Sequence, residues 1–266
     1  MEFSAYDFIY DGISSEEFCL KIINIGDSTG VQSLNGGSGI ELVEDKVRRV
    51  PTPYLYGVEK APVLTFSLTF GVLQREPLDA TDRRAISNAF FGKQNYKWLD
   101  ILQEDLMDVR FRCILSNPRN VFISGAQYAF TCDVICDAPW GWSYNETYSY
   151  SLDSGYSEIV FNNTSDDNGY YYPKLRIKPS NVSNDFSIKN VTDGGREFKF
   201  SDLHPNGIEE ISVDNAKKII TSTNGTNRLI NFNNMWLRFR QGENTLQISG
   251  FGNLEITCMF PRRVGG

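Results

Sequence analysis

The chain has 266 residues, of which 41% are hydrophobic and 22% are charged, and its formal net charge is −7. This composition excludes disordered and collagen-like proteins, and the length predicts about two domains. The sequence has no run of about 18 apolar residues, so we expect no transmembrane helix. Its first residues lack the basic and apolar segments of a secretory signal, so we expect no signal peptide.

The first part of the chain has the patterns of β-strands. Residues 26–39 contain five glycines and three serines, which predicts a long loop of the kind that carries function or is disordered. Leu64, Phe66 and Leu68 alternate with hydroxyl side chains, so one face of their strand should be buried. The strands predicted here are Tyr6–Tyr10, Phe18–Ile25, Ile40–Val50 and Val63–Phe70.

One helix is predicted next, with Asp79 or Thr81 as its N-cap, an apolar stripe through Ile86 and Phe90, and Gly92 at its end. Turn residues at 117–120 and 124–125 then separate further strands. These strands are predicted at Lys97–Leu102, Val109–Leu115, Val121–Ile123 and Gln127–Cys136.

The segment Asp137–Trp142 interrupts the strand pattern with a proline and a glycine, so we predict domains at 1–139 and 140–266. The second half has short strands at a spacing typical of a β-sandwich. The fold class is therefore mainly β, with a β-rich first domain that contains one helix. The strands predicted in the second domain are Glu158–Asn162, Lys174–Lys178, Asp185–Asn190, Glu197–Phe200, Glu209–Val213, Lys218–Thr221, Trp236–Phe239, Asn244–Ser249 and Leu254–Phe260.

The residues that could support chemistry are few. The single histidine, His204, is predicted to lie in a turn, which favours a structural role over a place in a Ser–His–Asp triad. Gly26–Gly30 matches Gly-x-Ser-x-Gly, but no helical pattern follows it. Cys132 and Cys136 alternate with apolar residues, which favours core packing over metal binding. We predict no catalytic residue, no cofactor and no metal site.

Two alternatives involve carbohydrate. The aromatic run that starts at Trp140 and Trp142 and includes tyrosines up to Tyr156 could stack on sugars, although packing or an interface is the more common use of such rings. Acidic clusters could serve a glycosidase, which needs two carboxylates across the scissile bond. These clusters lie in or beside apparent loops, at Asp100, Glu104 and Asp105, and at Asp166 and Asp167.

A series of short motifs runs along the whole chain, and their order and spacing are more specific than any one of them. They are Phe8–Phe18, Leu64–Phe70, Arg83–Phe91, Tyr96–Leu99, Asp137–Trp140, Tyr172–Ile177, Ile211–Asp214, Asn224–Gly225, Gly242–Leu246 and Ile256–Arg263. Together they resemble the distal tail protein family of long-tailed, non-contractile phages, especially those that infect Gram-positive bacteria.

The resemblance implies a structural virion protein at the tail tip, made in the host cytoplasm. Its first domain would be a belt that closes a homohexameric ring, and the second a galectin-like β-sandwich. The ring would join the major tail tube protein to the tail-associated lysin or tail fibre protein, and it could pair back to back with a second ring. Receptor-binding proteins could dock outside, and DNA would pass through without specific binding. No membrane partner is implied.

The charge distribution suggests a use for the ring. Residues 1–139 hold 13 Lys and Arg against 19 Asp and Glu, so each belt carries −6. Proteins that bind nucleic acid need the opposite sign to neutralise phosphates. We therefore predict a DNA-repelling channel wall, with Glu41, Glu44 and Asp45 as candidate channel or interface residues.

Overall fold

A computed structural model of the protein shows two compact units. The first consists of Met1–Ser143 with Arg262–Gly266, and the second is Tyr144–Pro261. Each unit has its own hydrophobic core. The structure describes residues 6–25, 40–48, 51–60, 63–73, 76–180, 184–204 and 208–264.

In its described residues, the first unit has a nine-stranded sheet, one α-helix and a separate two-stranded sheet. The central path of the large sheet runs β2-β1-β7-β8-β9-β6-β3, and β10 pairs with β8 and β20. In chain order the elements are β1 Phe8–Tyr10, β2 Ile13–Ser14, a 3₁₀ turn Ser15–Phe18, β3 Leu20–Ile25, β4 Ile40–Asp45, β5 Tyr54–Lys60, β6 Thr65–Val72, α1 Ala80–Phe90, β7 Lys97–Ile101, a 3₁₀ turn Glu104–Leu106, β8 Arg110–Ile123, β9 Ala126–Cys136, β10 Gly141–Trp142 and, where the chain returns, β20 Pro261–Arg262.

The predicted burial of one strand face and the predicted helix are confirmed. Leu64, Phe66 and Leu68 are buried, as the alternation indicates. Asp79 caps α1, because its side chain accepts a hydrogen bond from the amide of Asp82 at 2.7 Å. Phe90 at the other end packs into the core among other phenylalanine rings, so the helix covers the inner face of the large sheet.

One turn prediction in this unit is wrong, and one strand begins later than predicted. The residues around Asn117 form an irregularity within one 14-residue strand, β8, instead of a turn between two strands. Asn117 has a φ of +51°, and the register shifts between Ser116 and Arg119, so the sheet absorbs Pro118 as a bulge. The strand predicted at Phe18–Ile25 begins at Leu20, because Phe18 ends the 3₁₀ turn that Ser14 caps and Cys19 has a φ of +53°.

The second unit contains two antiparallel sheets whose inner faces share one core. One sheet has the order β11-β19-β13-β16-β17, and the other has β12-β18-β14-β15. The elements are β11 Glu146–Leu152, β12 Tyr156–Asn163, β13 Lys174–Pro179, β14 Phe186–Asn190, β15 Arg196–Phe200, β16 Ile211–Asp214, β17 Ile219–Ser222, a 3₁₀ turn Arg228–Asn231, β18 Gly242–Ser249 and β19 Gly252–Cys258.

The strand predicted at Trp236–Phe239 is wrong, since only Phe239 makes an isolated bridge, with Tyr171. Side chains hold this stretch instead. Arg238 bonds to Asp193 at 2.7 Å and lies over the ring of Tyr170 at 3.7 Å. The sandwich therefore contains an extended segment that polar contacts fix in place.

A buried ion pair fixes two loops of the second unit. The Arg228 Nε atom donates to Glu209 Oε1 at 2.8 Å, and its Nη1 donates to the Leu203 carbonyl at 2.7 Å. Ser222 Oγ donates to Glu209 Oε1 at 2.6 Å. The hydrogen bond from Arg228 lowers the pKa of Glu209 below its ordinary value of 4.5. The stability that the pair contributes is therefore present at neutral pH and is lost as the pH falls below about 4.5.

Replacing Arg228 by methionine should lower the free energy of unfolding by about 3–5 kcal/mol, because it leaves the buried Glu209 carboxylate without its cation. Urea denaturation of the full chain measures this. Arg176→Met is the matched control, since Arg176 is half-exposed and pairs with Glu210 and Glu255 at the surface. The control should cost less than about 1 kcal/mol, and equal losses in the two variants would contradict the prediction.

Candidate functional site

The two-stranded sheet of β4 and β5 carries several exposed apolar side chains of the first unit. Glu44 pairs with Leu55 and Asp45 pairs with Tyr54, with a register shift after Val43. Among the described residues, these two strands pair only with each other. A lone two-stranded hairpin is marginally stable in water, because it cannot bury both of its faces.

The hairpin exposes apolar side chains on both faces. Leu55 is 60% exposed and Tyr56 is 71% exposed, and as neighbours on a strand they point to opposite sides. Leu42 on the facing strand is 55% exposed. Clustered exposed apolar side chains mark interaction surfaces in soluble proteins. We call the described apolar side chains of this hairpin the hairpin patch: Leu42, Val43, Tyr54, Leu55 and Tyr56.

The acidic residues chosen from the sequence lie on the same hairpin. Glu41 pairs with Glu59 in the backbone register, and its side chain lies outside the described residues. The Glu44 carboxylate is 3.5 Å from Lys46 Nζ. The structure thus places the predicted acidic group beside the hairpin patch. Sequence analysis missed the patch because Tyr54–Lys60 follows two prolines and was not predicted as a strand.

A second cluster lies on the face of the large sheet opposite its core. Arg110 donates to both carboxylate oxygens of Asp100 at 3.0 Å, and its guanidinium lies 4.4 Å from the ring centroid of Trp98. Trp142 is opposite Arg110 in the register. Arginine and tryptophan are the residues most enriched at energetic centres of protein interfaces, so the cluster has the composition of a docking site.

The two tryptophans chosen from the sequence belong to this region. Trp142 Nε1 donates to Asp137 Oδ1 at 3.1 Å, and Trp140 packs edge-on against Trp142 with ring centroids 5.9 Å apart. Both rings are half-buried. They are therefore held by contacts within the first unit.

Three tyrosines of the predicted aromatic run, Tyr148, Tyr150 and Tyr156, lie on strands of the second unit. Tyr148 packs against Phe161 in the core, and its hydroxyl bonds to Glu146. Tyr150 is partly buried against the same core, whereas Tyr156 is 51% exposed. Tyr148 and Tyr150 therefore serve core packing.

The candidate catalytic residues differ in their surroundings. Asp100 is paired with Arg110, whereas Glu104 and Asp105 are exposed on a 3₁₀ turn. His204 has a φ of +37° in an irregular segment after β15. Gly26–Gly30 lies outside the described residues. Within the described ranges no group of three His, Cys, Asp or Glu side chains could hold a metal, and no helix is long and apolar enough to cross a membrane.

Comparison with known families gives two matches that together span nearly the whole chain. Residues 3–138 match the family described as phage tail protein N-terminal domain. Residues 140–258 match the family described as phage tail C-terminal domain. A search of curated proteins finds no match.

Two solved structures share the fold. The first is the Dit protein of phage SPP1, described as a paradigm of the hub adsorption apparatus in phages that infect Gram-positive bacteria. The TM-score is 0.68 at 14% identity, over 97% of this chain and 100% of that chain. The second is from the baseplate of phage p2, with a TM-score of 0.50 at 10% identity, over 96% and 98% of the two chains.

Replacing Arg110 by lysine keeps the positive charge but removes the planar fork that binds Asp100 and lies over Trp98. We expect the free energy of unfolding to fall by about 1–3 kcal/mol, since bonds to a mostly buried carboxylate are lost. Denaturation followed by tryptophan fluorescence measures this. Arg119→Lys is the control, because Arg119 binds Asp133 at a more exposed site. A change in Arg110→Lys no larger than in the control would refute the prediction.

Proposed function

Because the chain belongs to the phage tail protein family, we propose that it is the distal tail protein of a long-tailed phage, the hub at the tail tip. Family membership and the hub-like fold make it a structural component of the virion and not an enzyme. The SPP1 protein is named as a hub, which supports the same role for this chain. As part of the proposal, residues 1–139 form the ring and residues 140–266 form a galectin-like sandwich.

The hairpin patch is the observation that carries this proposal. A closed ring needs a heterologous contact, in which one surface of each subunit meets a different surface of the next. An exposed hairpin with apolar side chains on both faces meets this need, since a neighbouring copy would bury it. We propose a homohexamer that forms a single ring or two rings back to back, with this hairpin in the contact between subunits.

The neighbours follow from the position of a hub. One side of the ring would meet the major tail tube protein, and the other the tail-associated lysin or tail fibre protein. Receptor-binding proteins would dock on the outside of the ring. The ring would be added to the tail in the host cytoplasm, and DNA would pass through its channel without specific binding.

The double variant Leu55→Ser/Tyr56→Ser tests the ring. The wild type should have a molar mass near six or twelve subunits by light scattering on a sizing column, and the variant should be a monomer with the same circular dichroism spectrum as the wild type. Val160→Thr is the control, because Val160 is 64% exposed on the second unit. A monomeric wild type at all concentrations would count against self-assembly, and a variant that still assembles would count against the hairpin.

The acidic wall can be tested by reversing charge at two places on the hairpin. β4 carries Glu41, Glu44 and Asp45, whereas the turn after it carries Lys46 and Arg48. If β4 lines the channel, Glu44→Lys/Asp45→Lys should slow DNA release from phage particles, because cations bind phosphates. Lys46→Glu/Arg48→Glu, the control, should release DNA at the wild-type rate. If assembled particles of the first variant release DNA at the wild-type rate, the proposal that β4 forms a DNA-repelling channel wall is wrong.

A further inference from the structure

Two buried cysteines face each other across neighbouring strands in the large sheet. Cys113 on β8 and Cys136 on β9 are partners in the register, and both are at most 1% exposed. Directly opposed residues in an antiparallel pair project to the same side of the sheet. Both sulfurs therefore lie on the inner face, beside each other, as free thiols.

The backbone hydrogen bonds around Cys113 and Cys136 show which type of antiparallel residue pair they form. The amide of Cys136 donates to the carbonyl of Leu64, on the side away from Cys113. The amide of Asp137, one residue further, donates to the carbonyl of Arg112 on β8. Cys113 and Cys136 are therefore a non-hydrogen-bonded pair, the type in which the two strands approach most closely.

This position has the spacing that a disulfide requires. The Cα atoms of non-hydrogen-bonded pairs are about 4.5 Å apart, and disulfides span Cα separations of about 4.4–6.8 Å. We propose that Cys113 and Cys136 are a latent cross-strand disulfide, which forms under oxidising conditions and covalently joins β8 to β9. The nearby Cys132 is four residues from Cys136 on the same strand, about 13 Å away along it, and is too far to substitute for Cys113.

The reaction is a thiol–disulfide exchange with a disulfide oxidant such as oxidised glutathione. One cysteine attacks the oxidant, forms a mixed disulfide and releases one reduced glutathione. The second cysteine then displaces the other glutathione, so two protein thiols become one disulfide and one oxidant becomes two thiols. Burial raises the pKa of Cys136 to about 12, which disfavours the reactive thiolate. The bond should therefore form during folding or when the sheet opens.

Membership of the phage tail family indicates when the disulfide would form. A tail protein is made inside a bacterial cell, where thiols stay reduced, and it then leaves the cell for an oxidising medium. The two thiols would stay reduced during assembly. The disulfide would form afterwards, in molecules whose large sheet opens. The inference uses only membership of the tail family and does not depend on the hexamer or on the hairpin patch.

The test compares refolding in two buffers, with a Cys19→Ser background because Cys19 is exposed and could cross-link molecules. Unfolded protein is refolded in a mixture of oxidised and reduced glutathione, or in dithiothreitol. Free thiols are alkylated, and the protein is analysed by intact mass and peptide mapping. We expect one intramolecular link between the peptides of Cys113 and Cys136 in the glutathione sample alone, which then carries two alkyl groups fewer than the dithiothreitol sample. All four thiols alkylated, or a link through Cys132 or Cys258, would overturn the proposal.

Variants separate the specific pair from general thiol reactivity. Cys132→Ser should keep the link, and Cys113→Ser should lose it. The linked form should unfold at a midpoint higher by roughly 5 °C or more, because the bond restricts the unfolded chain, and the gain should disappear on reduction. If Cys113→Ser fails to fold, the peptide map of the Cys19→Ser protein still shows whether Cys113 and Cys136 are linked. A linked protein that unfolds at the same midpoint as the reduced protein would refute the expectation that the disulfide stabilises the fold.

Discussion

The long antiparallel pairing of β8 with β9 is the constraint on which the first unit depends. Every second side chain of β9 from Phe130 to Cys136 is buried, while the side chains between them face outward. The two strands are joined by a tight turn in which Ser124 and Gly125 both have positive φ values, as two-residue hairpin turns require. This pairing fixes one core face for α1 and one outer face, and the register then decides which residues meet across the sheet.

Alternation of side chains made the core strands predictable, because burial on one face leaves a period of two in the sequence. The same logic fails where structure depends on context. The residues around Asn117 have turn chemistry, yet the strand continues through them because β9 supplies partners on both sides. Trp236–Phe239 alternates like a strand but is held by the Arg238 side chain instead of a ladder. Both errors arise because hydrogen-bond partners distant in sequence override local preference.

The candidate site was only half predictable for a related reason. Acidic residues on β4 can be chosen from sequence by charge alone, but the hairpin patch becomes visible only when β5 is known to pair with β4. Exposure also cannot be read from composition, since Tyr54 and Tyr56 would be core residues in a strand that joined the large sheet. Their exposure follows from the topology, in which β4 and β5 make a sheet of their own.

Acidic and basic residues lie at different places along the hairpin of β4 and β5, and this bears on its proposed role. The strand β4 carries three acidic residues, and the turn after it carries Lys46 and Arg48, so the acid and base are separated along the hairpin. On the outer face of the large sheet, by contrast, Asp100 and Asp133 each have an arginine partner, which largely balances the charge of that face. The acidic excess of the first domain is therefore not concentrated there. A channel that repels DNA would need β4, and not the outer sheet face, to supply the negative potential, whereas a contact between subunits could use both ends of the hairpin at once.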